Sequence, residues 1–440
     1  MIALLDYADW IAATDEHAAG RIEALRQTQR ALEGHASAGD RLELARRLER
    51  WRYQLLNRRE PEGKNQELAD ALDLAANQLL GGPPRSPRSP RQAIDPASAA
   101  RGSLEEALAW FDPSRPLDDL EAQARRLTRR HFTLATGRRR MLLYAPLYLS
   151  NHCINHCLYC GFRYPNQIVR RRLEIDEAVR EADALLDRGC RHVLLVAGEF
   201  PGLATVDYFV EILRAIRARG AIPSIEIAPQ STIDYRQMVE AGAAAVTLYQ
   251  ETYDPALYAG YHPRGTKASF DWRLEGHERA AEAGVPRLGF GVLLGLADPR
   301  QDAAAMLRHA AYIDRHFPGR TLAFSLPRIH EAPEGFRVPV AVDDETFVRL
   351  YCCLRIAFPQ AELVLSTREP PPLRDRLAEI CITQMSAGSC TAPGGYLAAD
   401  AEQAAGEQFP VCDRRSPADV QTALEQLDIA PIWDLPPSPS

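Results

Sequence analysis

The sequence has 440 residues, of which 46% are hydrophobic and 25% charged, so its composition is that of an ordinary globular protein with a large core. Its formal net charge is −7, which gives no overall positive field for nucleic acid, and we expect no nucleic-acid partner. The longest apolar runs, such as Val193 to Ala197, are far shorter than the roughly 20 residues of a membrane span, so we expect no membrane partner.

The nine cysteines occur without a recognisable export signal, because the first residues, Met1 to Asp6, contain no basic segment before their apolar start. Stable disulfides belong mainly to exported proteins. We therefore expect free thiols and a cytoplasmic location.

Residues 1–80 predict a helical extension, because apolar residues recur at helical intervals at Ile22, Leu25 and Leu32 and again from Leu42 to Leu48. This part of the sequence contains no ligand cluster and no phosphate-binding loop, so we expect it to pack on the main domain or on a partner. Residues 81–102 follow as a segment rich in proline, arginine and serine. Its regularly spaced prolines favour an extended, solvated linker.

The main domain is expected over residues 103–435, followed by a tail at residues 436–440. Ser103 and Glu106 form a capping-box pattern at the start of the first of two helices, which lead into a strand. From this point strands and helices alternate eight times, which predicts an α/β fold with a parallel (β/α)8 barrel. The predicted strands are Met141 to Leu149, His192 to Val196, Ser224 to Ala228, Ala245 to Tyr249, Arg287 to Leu294, Thr321 to Leu326, Glu362 to Leu365 and Cys381 to Met385. The active site of such a barrel lies where its strands end.

Three cysteines with CxxxCxxC spacing, Cys153, Cys157 and Cys160, follow the first predicted strand. Thiolates ligate iron–sulfur clusters, and three of them can hold three irons of a four-iron cluster while the fourth iron stays open to a small ligand. A structural zinc site is the alternative, because His152 and His156 supply possible further ligands.

The cysteine motif resembles that of the radical S-adenosylmethionine (SAM) superfamily. Further short motifs extend the resemblance, namely Tyr249 to Tyr253, Leu365 to Glu369, Ser386 to Ser389, Pro393 to Tyr396, Gln408-Phe409 and Asp413 to Pro417. Together they resemble the aromatic amino acid lyases of that superfamily, and most closely the tyrosine lyases of thiamine biosynthesis. The resemblance runs from about residue 103 to Asp434 and implies a radical SAM barrel with a C-terminal region associated with biotin and thiamine synthesis.

The resemblance implies two cofactors, a [4Fe-4S] cluster on the three cysteines and SAM on its open iron. Glycines between Gly289 and Gly295 are expected to let SAM lie close to the backbone. The expected SAM contacts are Tyr159 and Phe162 near the adenine, Gly198 and Glu199 at the methionyl amine, and Glu251 and Arg273 at the ribose or the methionyl carboxylate. The structural alternatives are loop packing for the aromatic residues and ion pairs for the charged ones.

The implied reaction removes a hydrogen atom from the amino group of L-tyrosine with a 5′-deoxyadenosyl radical. The Cα–Cβ bond then breaks to give p-cresol and 2-iminoacetate (dehydroglycine). Arg368 is the first choice for binding the substrate carboxylate and Arg328 the second, with a structural ion pair, for example with Glu369, as their alternative. Ser386 is expected to add a hydrogen bond, and Tyr148 to position the substrate.

Three other functions remain open at this point. A hydrogenase-maturing tyrosine lyase carries a second cluster on a C-terminal extension, whereas here Cys412 stands alone and the sequence continues only to Ser440. A tryptophan lyase would differ in the shape of its pocket, and a non-catalytic cluster-binding scaffold would not react. The expected partners are L-tyrosine, thiazole synthase and an electron donor such as flavodoxin or ferredoxin.

Overall fold

The computed structural model describes residues 4–57, 64–98, 100–331, 335–398 and 406–435. The chain divides into two compact units. One unit is Met1–Arg91 together with Ser269–Glu275, and the other is Gln92–Ala268 together with Gly276–Ser440.

The first unit is helical. Its elements are a 3-10 helix at Leu4–Tyr7, α1 (Ala8–Thr14), α2 (Ala18–Leu32), α3 (Ala38–Leu56), α4 (Lys64–Leu79) and, from later in the chain, α12 (Phe270–Leu274). The short helix α5 (Pro90–Ile94) belongs to both units, because the first unit ends at Arg91. Ser37 and Asp40 close a capping box at the start of α3. Leucines of α3 and α4, among them Leu48 and Leu72, are fully buried, so apolar burial drives their packing.

Ion pairs centred on Asp73 of α4 hold the proline-rich segment to this unit. Arg85 and Arg88 both bind the Asp73 carboxylate, at 2.6 and 3.2 Å, and the buried Arg52 bridges Asp73 and Glu275. Although burial opposes ionisation, Arg88, Arg52 and Arg85 hold the pKa of Asp73 well below its usual range. The start of the predicted linker is therefore anchored to α4 and is not freely solvated, because its arginines meet a buried acid.

The second unit contains a closed parallel barrel. Its strands are β1 (Arg139–Ser150), β2 (His192–Ala197), β3 (Ile222–Glu226), β4 (Val246–Glu251), β5 (Arg287–Val292), β6 (Thr321–Ser325), β7 (Glu362–Leu365) and β8 (Gln384–Ser386). They pair in sequence from β2 to β8, then β8 pairs with β1 and β1 pairs back with β2. This confirms the predicted (β/α)8 fold.

Helices cover the barrel. They are α6 (Ser103–Ala109), α7 (Leu117–Phe132), α8 (Ile175–Asp187), α9 (Val206–Ala218), α10 (Thr232–Ala241), α11 (Pro255–Tyr261), α13 (Gly276–Glu282), α14 (Pro299–His316), α15 (Asp344–Ala357), α16 (Pro371–Ile380) and α17 (Pro417–Gln426). A short 3-10 helix, Thr266–Ala268, precedes α12. In α8, Val179, Ala182 and Leu185 are buried, which is the apolar stripe that a barrel helix needs.

A ninth strand, β9 (Ile429–Ile432), lies outside the closed ring and was not predicted. It pairs in parallel with the first residues of β1, where Arg139 is opposite Ile429. β1 begins two residues earlier than predicted, and the added residues Arg139 and Arg140 make two of its four pairings with β9. Among the described residues, no helix is long and apolar enough to cross a membrane.

Candidate active site

The cysteine loop begins where β1 ends and is held by backbone hydrogen bonds to neighbouring segments. The Ile154 amide donates to the Glu199 carbonyl at 2.9 Å, and the Leu158 amide donates to the Tyr261 carbonyl at 3.1 Å. The thiols of Cys153, Cys157 and Cys160 are all free. The loop therefore presents three unpaired thiols from a fixed backbone at the C-terminal mouth of the barrel.

These thiols fit a cluster better than a single ion. Among the described residues, no three His, Cys, Asp or Glu side chains converge on a single-ion site. A four-iron cluster offers a separate iron to each thiolate and does not require such convergence. Burial raises the pKa of the Cys153 and Cys157 thiols, and the nearby Lys267 ammonium opposes that rise at Cys157.

The element after β2 supports the cysteine loop from one side. The Gly198 amide donates to the Ser150 carbonyl at 2.8 Å, and the Glu199 carboxylate accepts from the Asn155 side chain at 2.7 Å. A Cβ atom on Gly198 would lie 2.4 Å from the His152 carbonyl oxygen, which is closer than atoms can approach. The glycine is therefore needed for the loop to pack. The contact of Glu199 with the methionyl amine of SAM stays a prediction.

We predict that Gly198→Ala displaces the cysteine loop, because the new methyl group collides with backbone that cannot move aside. Overpacking of this kind costs about 1–3 kcal/mol. The variant should retain less iron after anaerobic reconstitution and gel filtration than the parent protein. Gly202→Ala is the matched control in the same loop, since its Cβ would meet only ordinary contacts, at 3.5 Å or more. Equal iron retention in both variants would refute the steric argument.

A cavity of about 400 Å³ opens beside the cysteine loop inside the barrel mouth. We call it the mouth cavity. It brings together six of the residues predicted from sequence, namely Tyr148, Tyr159, Cys160, Glu251, Arg368 and Ser386. These residues come from the cysteine loop and from the ends of β1, β4, β7 and β8, so the barrel gathers them as expected.

The positively charged side chain of Arg368 lines the mouth cavity. Its guanidinium lies 3.2 Å from the centre of the Phe409 ring, and within the described part of the chain it has no ion-pair partner. Burial lowers its pKa, an effect opposed by nearby Tyr148, Tyr249 and Glu226. A guanidinium in this position can bind a carboxylate through two parallel hydrogen bonds.

Arg328 makes the ion pair that was its structural alternative. Its guanidinium binds the buried Glu369 carboxylate, contacts Asp344 at 2.8 Å and stacks on the Phe347 ring. His330 binds the same Glu369 carboxylate at 3.1 Å. Although burial favours the neutral acid, His330 and Arg328 hold the pKa of Glu369 below its usual value. Arg328 does not line the mouth cavity.

We predict that Arg328→Leu lowers the free energy of unfolding by about 3–5 kcal/mol, because it leaves the Glu369 charge buried with a weaker partner. Denaturant unfolding measures this loss. The double variant Arg328→Leu/Glu369→Leu should recover most of it, since replacing both partners by apolar groups is often neutral. Equal stability of the single variant and the parent protein would mean that the pair contributes nothing.

The other predicted cofactor residues have defined surroundings. The Tyr159 hydroxyl is 2.8 Å from His262 Nε2, and the Lys267 ammonium lies over the Tyr159 ring. Phe162 packs edge-on against Tyr148, which matches its alternative role in loop packing.

Arg273 is buried in α12, within the unit of the N-terminal helices, so its contact with SAM stays a prediction.

Glu251 occupies an unusual backbone position at the end of β4. Its φ angle is +70°, a left-handed conformation that is uncommon outside glycine, and the ladder between β4 and β5 is irregular at this point. Its carboxylate binds the Lys267 ammonium. Such backbone strain persists only where surrounding structure imposes it, and it often marks functional sites.

Comparison with known proteins identifies the family. Residues 147–310 match the Radical SAM superfamily, and residues 325–430 match the Biotin and Thiamin Synthesis associated domain. The chain is 35% identical over 339 residues to the 2-iminoacetate synthase of Escherichia coli strain K12, covering 76% of this chain and 88% of that one. The chain belongs to the 2-iminoacetate synthase family of radical SAM enzymes. It is therefore a radical SAM lyase, and its cofactors are a [4Fe-4S] cluster and SAM.

Solved structures agree with this membership. The FeFe-hydrogenase maturase HydG from Carboxydothermus hydrogenoformans superposes with a TM-score of 0.70 and 32% identity, covering 91% of this chain and 86% of HydG. Methylornithine synthase (PylB) superposes with a TM-score of 0.58 at 22% identity, covering 78% of this chain and 97% of PylB, which shows a shared fold. The barrel, its cysteine loop and its C-terminal region are thus those of the predicted superfamily.

Several cavity residues of this family member were not assigned a role from sequence. Glu226, Tyr249 and Lys267 line the mouth cavity, as do Gln408 and Phe409, which were noted only as a motif. Glu226 is the last residue of β3, but the strand was predicted to run to residue 228, so Glu226 was taken for an interior strand residue. If the predicted strand had ended at residue 226, Glu226 would have been a polar residue at a strand end and so a candidate site residue.

Two glycines of β5 lie against side chains of the neighbouring strand β4. A Cβ atom on Gly291 would lie 1.9 Å from the Tyr249 ring, and one on Gly289 would lie 2.6 Å from the Thr247 hydroxyl. Side chains of β4 therefore fill the space over these two residues of β5. The expected approach of SAM to the backbone between Gly289 and Gly295 stays a prediction.

Proposed function

We propose that this enzyme cleaves the Cα–Cβ bond of L-tyrosine to give p-cresol and 2-iminoacetate, the glycine-derived precursor of the thiamine thiazole. The observation that carries the proposal is the Arg368 guanidinium, which faces the mouth cavity beside Cys160 without an ion-pair partner among the described residues. The carboxylate of an amino acid is the natural ligand of such a group. The 35% identity with the Escherichia coli 2-iminoacetate synthase supports the same reaction.

Two residues of the cavity, Arg368 and Ser386, have defined tasks in this mechanism. When bound, the reduced cluster and SAM supply a 5′-deoxyadenosyl radical that removes one hydrogen atom from the substrate amino group. Arg368 binds the substrate carboxylate and fixes the position of the neighbouring amino group. The Ser386 hydroxyl accepts a hydrogen bond from the Thr367 amide at 3.0 Å, which holds the backbone immediately before Arg368. Ser386 is thus a positioning residue.

Tyr148 and Gln408 close the side of the cavity next to the cysteines. The Tyr148 hydroxyl donates to Gln408 Oε1 at 2.8 Å, and the Gln408 amide nitrogen lies 3.9 Å from the Cys160 sulfur. This contact joins the first strand, the cysteine loop and the segment after residue 405. We propose that these side chains limit the access of water to the reacting groups, which protects a radical intermediate from side reactions.

The test compares L-tyrosine with L-tryptophan in the anaerobically reconstituted enzyme with SAM and dithionite. The proposal predicts p-cresol from tyrosine and no indolic product from tryptophan. An indolic acid from tryptophan, with no p-cresol from tyrosine, would reassign the enzyme to the tryptophan lyases. Deoxyadenosine without either product would point to another amino acid.

We also propose that the product passes to thiazole synthase, because an imine of glyoxylate hydrolyses in water. Adding thiazole synthase should raise the yield of thiazole and lower the glyoxylate released. An unchanged yield would refute direct transfer. A flavodoxin or ferredoxin in the cytoplasm is the proposed electron donor, since the cluster must be reduced before SAM can react.

A further inference from the structure

The floor of the mouth cavity is polar. A second, smaller cavity of about 40 Å³ lies inside the barrel and shares five lining residues with the mouth cavity. Cys160 and Arg368 line only the mouth cavity. The shared residues therefore form the floor of the mouth cavity, on the side that faces the barrel interior. The shared residues are Tyr144, Leu194, Glu226, Tyr249 and Ser325.

Glu226 is the acid of this floor. Its side chain is enclosed by the barrel yet partly accessible from the cavity, and the Tyr249 hydroxyl is its hydrogen-bond partner. Within the described part of the chain, no cation makes an ion pair with it. A carboxylate placed in this way has capacity for another donor.

Charged and titratable groups surround Glu226 on several sides. Burial raises the pKa of Glu226 to about 7, and the Glu251 carboxylate adds to this rise. The positive charges of Arg368 and Lys267 and the hydrogen bond from Tyr249 lower this pKa and so oppose the rise. The hydroxyls of Tyr144 and Tyr148 also lie within its electrostatic reach. Near neutral pH, a substantial fraction of Glu226 is ionised and can only accept hydrogen bonds.

L-Tyrosine has three polar groups to place in this cavity. Its carboxylate goes to Arg368, and its amino group must face the cysteine side, where the hydrogen atom is removed. The phenol hydroxyl is the group left for the floor, and a phenol O–H is a good donor to a carboxylate. A ring without the hydroxyl would leave the buried acid without that donor, which is how enzymes reject such analogues strongly.

We propose that Glu226 accepts a hydrogen bond from the phenol hydroxyl of L-tyrosine and thereby selects tyrosine over phenylalanine. This inference rests on the proposed function. It assigns the choice between substrates to Glu226 at the end of β3. Arg368, on the segment after β7, binds the carboxylate, which all amino acids share. Tyr249 holds the acid in place through its own hydroxyl and acts as a positioning residue.

The test is equilibrium binding to the holoenzyme with SAM bound and its cluster kept oxidised, so that no turnover occurs. The ligands are L-tyrosine, L-phenylalanine and 3-(4-hydroxyphenyl)propionate, which lacks the amino group. In Glu226→Leu, the affinity for the two phenols should fall about 10- to 100-fold, as for loss of a hydrogen bond to a charged group. The affinity for phenylalanine should stay the same or rise. Glu240→Gln, at an exposed site on α10, is the control.

The pH dependence provides a second readout in a more conservative variant. Tyrosine binding by the parent enzyme should strengthen as the pH rises through about 7, because the ionised acid is the better acceptor. Glu226→Gln keeps the size of the side chain and an acceptor oxygen but cannot ionise, so its tyrosine affinity should lose this rise.

The other outcomes overturn the proposal. If Glu226→Leu weakens tyrosine and phenylalanine equally and spares the propionate, the acid binds the substrate ammonium. If it weakens all three ligands equally, the acid is structural. Failure of the proposed function is a separate result, since the parent enzyme would then form no p-cresol from tyrosine.

Discussion

In the Cys157→Ser variant, bound iron and deoxyadenosine formation should both fall to background. Cys157 is buried at the centre of the cysteine loop, between Cys153 and Cys160, and a serine oxygen is a poor substitute for a thiolate on iron. The loop backbone is held by contacts that do not involve the thiols, so the protein should still fold. Iron and sulfide per chain after anaerobic reconstitution, and deoxyadenosine after addition of dithionite and SAM, measure the two effects.

Cys412→Ser is the matched control for this experiment. Cys412 is an exposed free thiol outside the cysteine loop, so its replacement should leave iron content and deoxyadenosine yield unchanged. Circular dichroism would check that both variants are folded. Full iron loading and SAM cleavage in Cys157→Ser would contradict the assignment of the cluster to this loop.

The second large effect is expected in Arg368→Gln. The variant loses the charge that we propose binds the substrate carboxylate, and removing one partner of a buried charge pair costs about 2–5 kcal/mol. That loss corresponds to a fall in kcat/KM for p-cresol of about 30- to 4,000-fold. Cleavage of SAM in the absence of substrate should continue, because Arg368 is not a cluster ligand.

The pattern of losses distinguishes this role from a structural one. Arg219→Gln removes an arginine from a partly exposed ion pair with Asp183 and should leave kcat/KM unchanged. A structural role for Arg368 would lower the free energy of unfolding and the iron content together with activity. Tyrosine turnover at the parent rate in Arg368→Gln would remove the main support for the proposed function.

Much of the site was predictable because its signals are local in sequence. The cysteine spacing fixes three residues within one loop, and the alternation of strands and helices places the other strand ends at the same mouth. Arg368 lies three residues after the end of β7, so it was found by this rule. Glu226 was missed because an error of two residues in the end of β3 moved it from the strand end to the strand interior.

Contacts between distant segments were not predictable. Glu369 was named from sequence as a possible ion-pair partner of Arg328 and Arg368 alike, and only the fold shows that it binds Arg328. The pairing of β9 with β1 joins residues almost 300 positions apart. The salt bridge between Arg52 and Glu275 could not be predicted from the spacing of apolar residues either, because its partners belong to different regions of the sequence.

The most direct test of the proposed reaction is the amount of each product from one incubation of the reconstituted enzyme with dithionite, SAM and L-tyrosine. We expect deoxyadenosine and p-cresol in equal amounts, together with glyoxylate from hydrolysis of the imine. Running the reaction in D2O exchanges the amino hydrogens, so the deoxyadenosine should carry deuterium. Deoxyadenosine without p-cresol, or without deuterium, would contradict the cleavage of tyrosine through its amino group.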